Sequence, residues 1–197
     1  MKNIFKIIPF ILITISCKAQ TPIFNIEDNN GGEIQNAYYR DTNNLLNPFV
    51  GTYLYSIGNT SLKIVFQKRI MAYDGYMYED LLVGEYQYIE NGIEKVNTLN
   101  NINSINTNAM SIRANYVYSN DSYWCSDCYP NEKRVMGSFG EHSTYNSGQI
   151  LISRVTVGGQ QAIKINIWWQ YGSYNVDTDP VPQVPIFQSG DYILIKQ

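Results

Sequence analysis

Two cysteines in Trp124-Cys125-Ser126-Asp127-Cys128-Tyr129-Pro130 are the residues of this chain best placed to do chemistry. A C-x-x-C pair can exchange disulfides, hold half of a metal site or close a small covalent ring. Redox exchange goes with a βαβ surrounding and a helix N-terminus that lowers a thiol pKa. The flanks here are the tyrosine-rich "ANYVYS" and the polar "YPNEKR", with no βαβ pattern in sight. Zinc wants four N or S ligands in a structural site and three in a catalytic one. One C-x-x-C and one histidine, His142, fall short of a Cys₂His₂ or Cys₄ set, so no metal and no other cofactor is expected. A disulfide between Cys125 and Cys128 is then the expectation if the compartment is oxidising, with free thiols as the alternative.

Other catalytic sets fare no better. A Ser-His-Asp arrangement must use His142 in "GEHSTYNSG", yet Glu141, His142 and Ser143 are neighbours that a strand would send to opposite faces. Neither a G-x-S-x-G elbow nor a phosphate-binding glycine loop occurs. Glu79, Asp80 and Glu85 flank one strand, and Asp177 and Asp179 sit in a proline-rich run. Glycosidase chemistry needs two carboxyls at a set separation across a cleft. These acids read as solvated loop residues, and no enzyme is expected. Aromatics carry more. In "AIKINIWWQ", Ile163, Ile165, Ile167 and Trp169 share one face, while Lys164, Asn166 and Trp168 share the other. Trp168, with Tyr171 and Tyr174 beyond it, is therefore a candidate ligand-binding cluster for a sugar ring or a peptide.

The compartment is written at the N-terminus, "MKNIFKIIPFILITISCKAQ". Lys2 and Lys6 precede an apolar run from Ile7 to Ile15, well short of the roughly 20 residues that span a bilayer. This is the layout of a secretory signal. Cys17 after Ser16 resembles a bacterial lipoprotein signal, in which the cysteine is acylated and becomes the first mature residue; Thr14 stands where such signals carry Leu, Val or Ile. Cleavage after Ala19 is the alternative, giving a soluble periplasmic or secreted chain. The expected organisation is a signal peptide over 1–16, a lipid-anchored spacer over 17–47 and one β domain over 48–197, located in the cell envelope.

Loss of Lys2 and Lys6 takes the net charge from −3 to about −5, and no Lys or Arg block remains to mark a nucleic-acid surface. Seventeen tyrosines with abundant Asn and Gly favour strands joined by polar turns. Period-two runs begin at "VGTYLYS" and "SLKIVFQKRI", where Leu62, Ile64 and Phe66 alternate with Lys63, Gln67 and Arg69. "DLLVGEYQYI" and "IEKVNT" flank Asn91-Gly92, a strong hairpin signal because both residues tolerate positive φ. "MSIRANYVYS" places Met110, Ile112, Ala114, Tyr116 and Tyr118 on one face. "RVMGSF", "QILISRVTV", "QAIKINIWWQ" and "GDYILIKQ" complete about eight or nine antiparallel strands. Such a meander hides its edges by closing into a barrel, with a two-sheet β-sandwich as the alternative. Asp41 is a candidate cap for an irregular turn near Leu46.

"NPFVGTYLYSIGNTSLKIVF" resembles the opening of lipocalin-like domains, with Gly51 and Tyr53 at the positions of a G-x-W motif and Tyr in place of Trp. The runs "NLLNPFVGTY", "EDLLVGEYQYIENG", "GGQQAIKINIWW" and "GDYILIKQ" are similar to an uncharacterised domain-of-unknown-function family of small exported proteins of Bacteroidetes, chiefly flavobacterial. That resemblance implies export and a single domain, and brings no activity. The expected function is a monomeric, non-enzymatic binding module at the envelope, taking a small apolar or glycan ligand. A purely structural envelope protein and a secreted hydrolase are the alternatives. An interior cavity of roughly 300 Å³ or more would favour a ligand, and a filled one the structural reading.

Overall fold

The computed structural model describes residues 21–28, 33–141, 143, 146–170, 184–186 and 188–197. Its strands are β1 (Ile23–Asn25), β2 (Tyr38–Arg40), β3 (Gly51–Ile57), β4 (Thr60–Tyr73), β5 (Tyr78–Glu90), β6 (Ile93–Asn97), β7 (Ile112–Tyr118), β8 (Arg134–Glu141), β9 (Asn146–Val157), β10 (Gln160–Gln170) and β11 (Gly190–Lys196). Eight of them close an antiparallel barrel in the order β3, β4, β5, β7, β8, β9, β10, β11, and β11 returns to β3 through Ile195↔Leu54. The expected all-β barrel is therefore the fold, and the sandwich is not. Closure removes the sheet edges that a meander would otherwise expose.

Hairpin chemistry sets the registers. Asn91 and Gly92 take φ of 53° and 79° between β5 and β6, and Gly158 and Gly159 take 57° and 82° between β9 and β10. β5 is the organising strand. One of its edges runs along β4, while the other meets β2 at Tyr78, β7 at Leu82–Gly84 and β6 at Gln87–Glu90. Where β6 and β7 part, Glu85 accepts from Ser111 N (3.3 Å) and Ser111 Oγ (2.6 Å).

Inward residues follow the period-two pattern. Leu62, Ile64 and Phe66 of β4 face Tyr88, Tyr86 and Gly84 of β5, and Ile163, Ile165 and Ile167 of β10 face Leu194, Tyr192 and Gly190 of β11. Aromatic rings occupy the middle: Tyr53 with Phe66 at 6.2 Å, Tyr86 with Phe139 at 5.2 Å, and Phe139 with Trp169 at 5.3 Å. Tyr53, Phe66, Tyr86 and Phe139 are fully buried. Among the described residues, these rings and the aliphatic side chains around them occupy the centre of the barrel.

Two expectations need correction. Ala114 pairs with Gly137 and Tyr116 with Met136, so β7 carries a bulge at Asn115 that inverts the alternation. Val117 points inward in place of Tyr116 and Tyr118, which are only half-buried. Nor is the polar stretch before residue 48 a spacer throughout. β1 lies parallel to β2 and β2 parallel to β5. Ile26, Leu46 and Phe49 join the barrel core where β3 begins. Asp41 is the expected cap: its carboxylate accepts from Leu45 N at 2.7 Å and Leu46 N at 3.0 Å, and Lys68 Nζ donates to it at 2.7 Å. Composition showed the polarity of this stretch but not the few apolar residues spaced to reach a core.

Candidate functional site

On the outside of the barrel, β5, β7, β8, β9 and the end of β10 line a cleft of about 430 Å³. Its floor is a charge pair. Glu79 of β5 is buried, its Oε1 accepting from Arg113 Nη2 of β7 at 2.9 Å and its Oε2 from Asn115 Nδ2. Arg113 Nε–H is also buried and finds no hydrogen-bond partner among the described residues. The walls are mostly neutral: Tyr116, Ser138, Ser147, Gln149 and Gln170, with Glu33 and Asp74 at one end.

The β7 bulge creates this geometry, because it changes which side chains of β7 face outward after Arg113. Only glycine fits opposite it. A Cβ on Gly137 would lie 2.0 Å from the Arg113 carbonyl oxygen and 2.3 Å from Ala114 Cα, both backbone atoms that cannot give way. Close approach of β8 to β7 at Gly137 is thus a condition of the cleft.

Desolvation pushes the Glu79 carboxyl above its ordinary range, against the opposing pull of Arg113 and Asn115, and Asp74 pushes the same way. A carboxyl whose folded pKa is raised contributes stability that is present below its unfolded pKa and lost as pH rises through the folded value. Glu79→Gln removes that dependence. In thermal melts from pH 4.5 upward, the wild type should therefore lose ground steadily to Glu79→Gln as the carboxyl ionises. A pH-independent difference between the two would show that Glu79 titrates normally. Buried charge pairs of this kind seldom stabilise more than an apolar substitute of the same shape, which makes them pointers to function.

The candidate residues of the sequence fall elsewhere. Cys125 and Cys128 form the expected disulfide, with Cα atoms 5.0 Å apart, on the loop between β7 and β8, where Cys125 ends a short 3₁₀ turn. Arg134 braces that loop, donating from Nη1 to Trp124 O at 3.1 Å and pairing with Asp127 at 2.9 Å. Trp168 faces outward as expected, but Trp124 is stacked on it with ring centroids 5.5 Å apart and planes 13° apart. One face of Trp168 is therefore already occupied by the cysteine loop. Cys17, Tyr171, Tyr174 and His142 lie outside the described residues. Among the described residues no cluster of three or more His, Cys, Asp or Glu could hold a metal ion, and no helix is long and apolar enough to cross a membrane.

Arg113 and Asn115 carry no signal of this role in the sequence, where Glu79 stands only among the acids of β5. Glu79 was expected as a solvated acid, yet Leu81, Leu82 and Val83 in succession are a signal that both faces of β5 are covered. On a strand buried on both sides, the flanking acids are buried too.

No curated protein and no solved structure matches the chain. One family model does, and it spans residues 1–197. The chain belongs to that family, DUF6705, a family of unknown function.

Proposed function

We propose that the protein is exported, cut before Cys17, held in the cell envelope by a lipid on that cysteine, and works as a non-enzymatic binding module through its outer cleft. The observation that carries the binding part is a contrast. The barrel interior is packed with aromatic rings, whereas the outer face has a cleft of about 430 Å³ built over a buried ion pair. A small apolar ligand inside the barrel loses its support. A hydroxyl-rich ligand such as a glycan gains it, because Asn115, Gln149 and Gln170 each offer a donor and an acceptor and the serines offer hydroxyls. Export and anchoring rest on the n-region, the short apolar run and Cys17, together with the resemblance to exported flavobacterial proteins. The Cys125–Cys128 disulfide fits an oxidising compartment. The packing of aromatic rings in the described interior favours a second reading, a structural envelope component with no ligand.

Native mass spectrometry of protein purified from its own host addresses these together. The expected mature chain begins at a lipidated Cys17, and globomycin should cause a longer precursor to accumulate. A mature chain starting at Gln20 without lipid overturns the anchor. In a glycan panel, Arg113→Ala should weaken binding at least about tenfold, the worth of one hydrogen bond to a charged group. A wild type that retains no ligand and binds no glycan would leave the structural reading.

A further inference from the structure

We propose that one rim of the barrel, built around the β4–β5 turn, is a membrane-docking surface that seats in the interfacial layer of the bilayer to which Cys17 is attached. The inference rests on the lipid anchor above and adds the face that the anchor presents.

Exposed apolar side chains gather at this rim. Ile23 pairs with Tyr38, Tyr38 with Tyr78, and Tyr78 with Tyr73, so these four residues form one row across the sheet. At about 4.8 Å per strand, Ile23 and Tyr73 stand roughly 14 Å apart. Asn36 N–H donates to Tyr76 O at 2.8 Å, and Ala37 N–H to Ile34 O at 3.0 Å, which brings Ile34 to the same edge. Asn108 Nδ2 donates to Asp74 O at 3.2 Å and draws in the loop that carries Ile105. Ile23 is 62 % exposed, Ile70 71 % and Ile105 98 %, and Ile34, Met71, Tyr73 and Tyr76 are each more than two-fifths exposed. Single exposed hydrophobics need no explanation, but a contiguous group at one edge marks an interaction surface.

The fold goes out of its way to expose two of them. Uninterrupted alternation from Leu62 would aim Ile70 into the barrel. Instead Arg69 pairs with Leu81 and Ala72 with Glu79, so Ile70 and Met71 bulge out opposite Asp80 alone. Met71 takes a φ of +53°, a strained conformation for a residue with a Cβ. A buried carboxylate holds it there: Asp80 Oδ1 accepts from Met71 N at 2.9 Å and from Tyr38 Oη at 2.6 Å. Strain kept in place by a buried acid, with the result that two apolar side chains face water, is difficult to account for unless something covers them.

The chain's path names the occupant. The described chain enters at Thr21, next to Ile23 in this row. Four Cα steps separate Cys17 from Thr21, a reach of about 14 Å at most. A lipid on Cys17 therefore keeps this rim, and not the opposite one at Ile93, beside the bilayer. Tyrosine is at home at the headgroup level, where one end of the ring is apolar and the other wet. Lys68 and Arg69 precede the bulge, but Lys68 Nζ is held by Asp41 at 2.7 Å and Arg69 Nη2 donates to Ile102 O, so the contact is apolar rather than a charge attraction to anionic lipid.

The test places a reporter at each end. Protein purified from its host as Tyr76→Trp or Ile93→Trp is bound to phosphatidylethanolamine–phosphatidylglycerol vesicles containing brominated lipid. The native tryptophans give both variants the same background. The added emission of Tyr76→Trp should fall about twofold or more, and that of Ile93→Trp should not change. Equal quenching of both, or quenching of neither, overturns the docking surface; unquenched Tyr76→Trp with self-association in sedimentation would assign the rim to a second copy. Intact mass of the same samples reads the lipid separately. A lipidated, unquenched Tyr76→Trp sinks the docking face alone, whereas a lipid-free, quenched one upholds the face and sinks the anchor.

Discussion

Phe139→Ala should lower the unfolding free energy by about 3–5 kcal/mol, the largest loss expected of any single side-chain truncation in the interior. Phe139 lies on β8 at the centre of the barrel, in contact with Tyr86 on one side and Trp169 on the other. Opposite it stand Ile112 of β7 and Gly148 of β9, one with no side chain to refill the space and one already fully buried. A closed barrel also collapses poorly, since moving one strand inward breaks the ladder on both of its edges. At about 2–4 °C per kcal/mol for a chain of this size, the thermal midpoint should drop by roughly 10 °C. Ile193→Ala, on the outer side of β11, is the control and should shift stability by no more than about 0.5 kcal/mol. Denaturant melts read both. A Phe139→Ala loss under about 1 kcal/mol would mean the interior has slack, and would bring back an internal ligand.

Asp80→Ala is the second large effect, and it is local where the first is global. Asp80 is buried and accepts from Tyr38 Oη, Asp41 N and Met71 N. Burial, then the bond to Asp80, pushes the Tyr38 phenol up to about 12, so it donates at any physiological pH. Removing the carboxylate leaves three donors without their acceptor, at about 1–3 kcal/mol for each one that water cannot reach. A loss of about 3 kcal/mol or more is expected. It should appear in hydrogen exchange first over 33–47 and around Met71, while β8, β9 and β10 keep their protection. Uniform loss of protection would show that the N-terminal stretch does not move as its own unit. Because Asp80 also holds the Met71 bulge, the same variant should loosen the rim assigned above to the membrane.

Much of the fold was legible because a half-buried strand shows its period in one dimension. Leu62, Ile64 and Phe66, and Ile163, Ile165 and Ile167, each needed only alternation to be placed inside, and Trp168 to be placed outside. Asn91-Gly92 named its own turn through backbone preference. The candidate site was not legible, since it depends on what stands across from each residue. Glu79 meets Arg113 only because β7 reaches around β6 to pair with β5. Trp168 meets Trp124 only because the disulfide loop folds over β10, and neither partner is near the other in sequence.

The sequence by itself determined an all-β chain, its hairpins, most of its inward face and a C-x-x-C with no second pair of metal ligands. These are properties of neighbours along the chain, where spacing and turn chemistry act directly. Tertiary structure alone decided that aromatic rings meet at the centre of the barrel and that the polar N-terminal stretch adds Ile26 and Leu46 to its core. It also decided that two bulges turn β4 and β7 out of phase and that a buried Glu–Arg pair floors a cleft. Each of these depends on burial and on contacts between distant residues. A polar side chain is favourable in water and costly inside unless paired, so its role is fixed only once the fold supplies its partner.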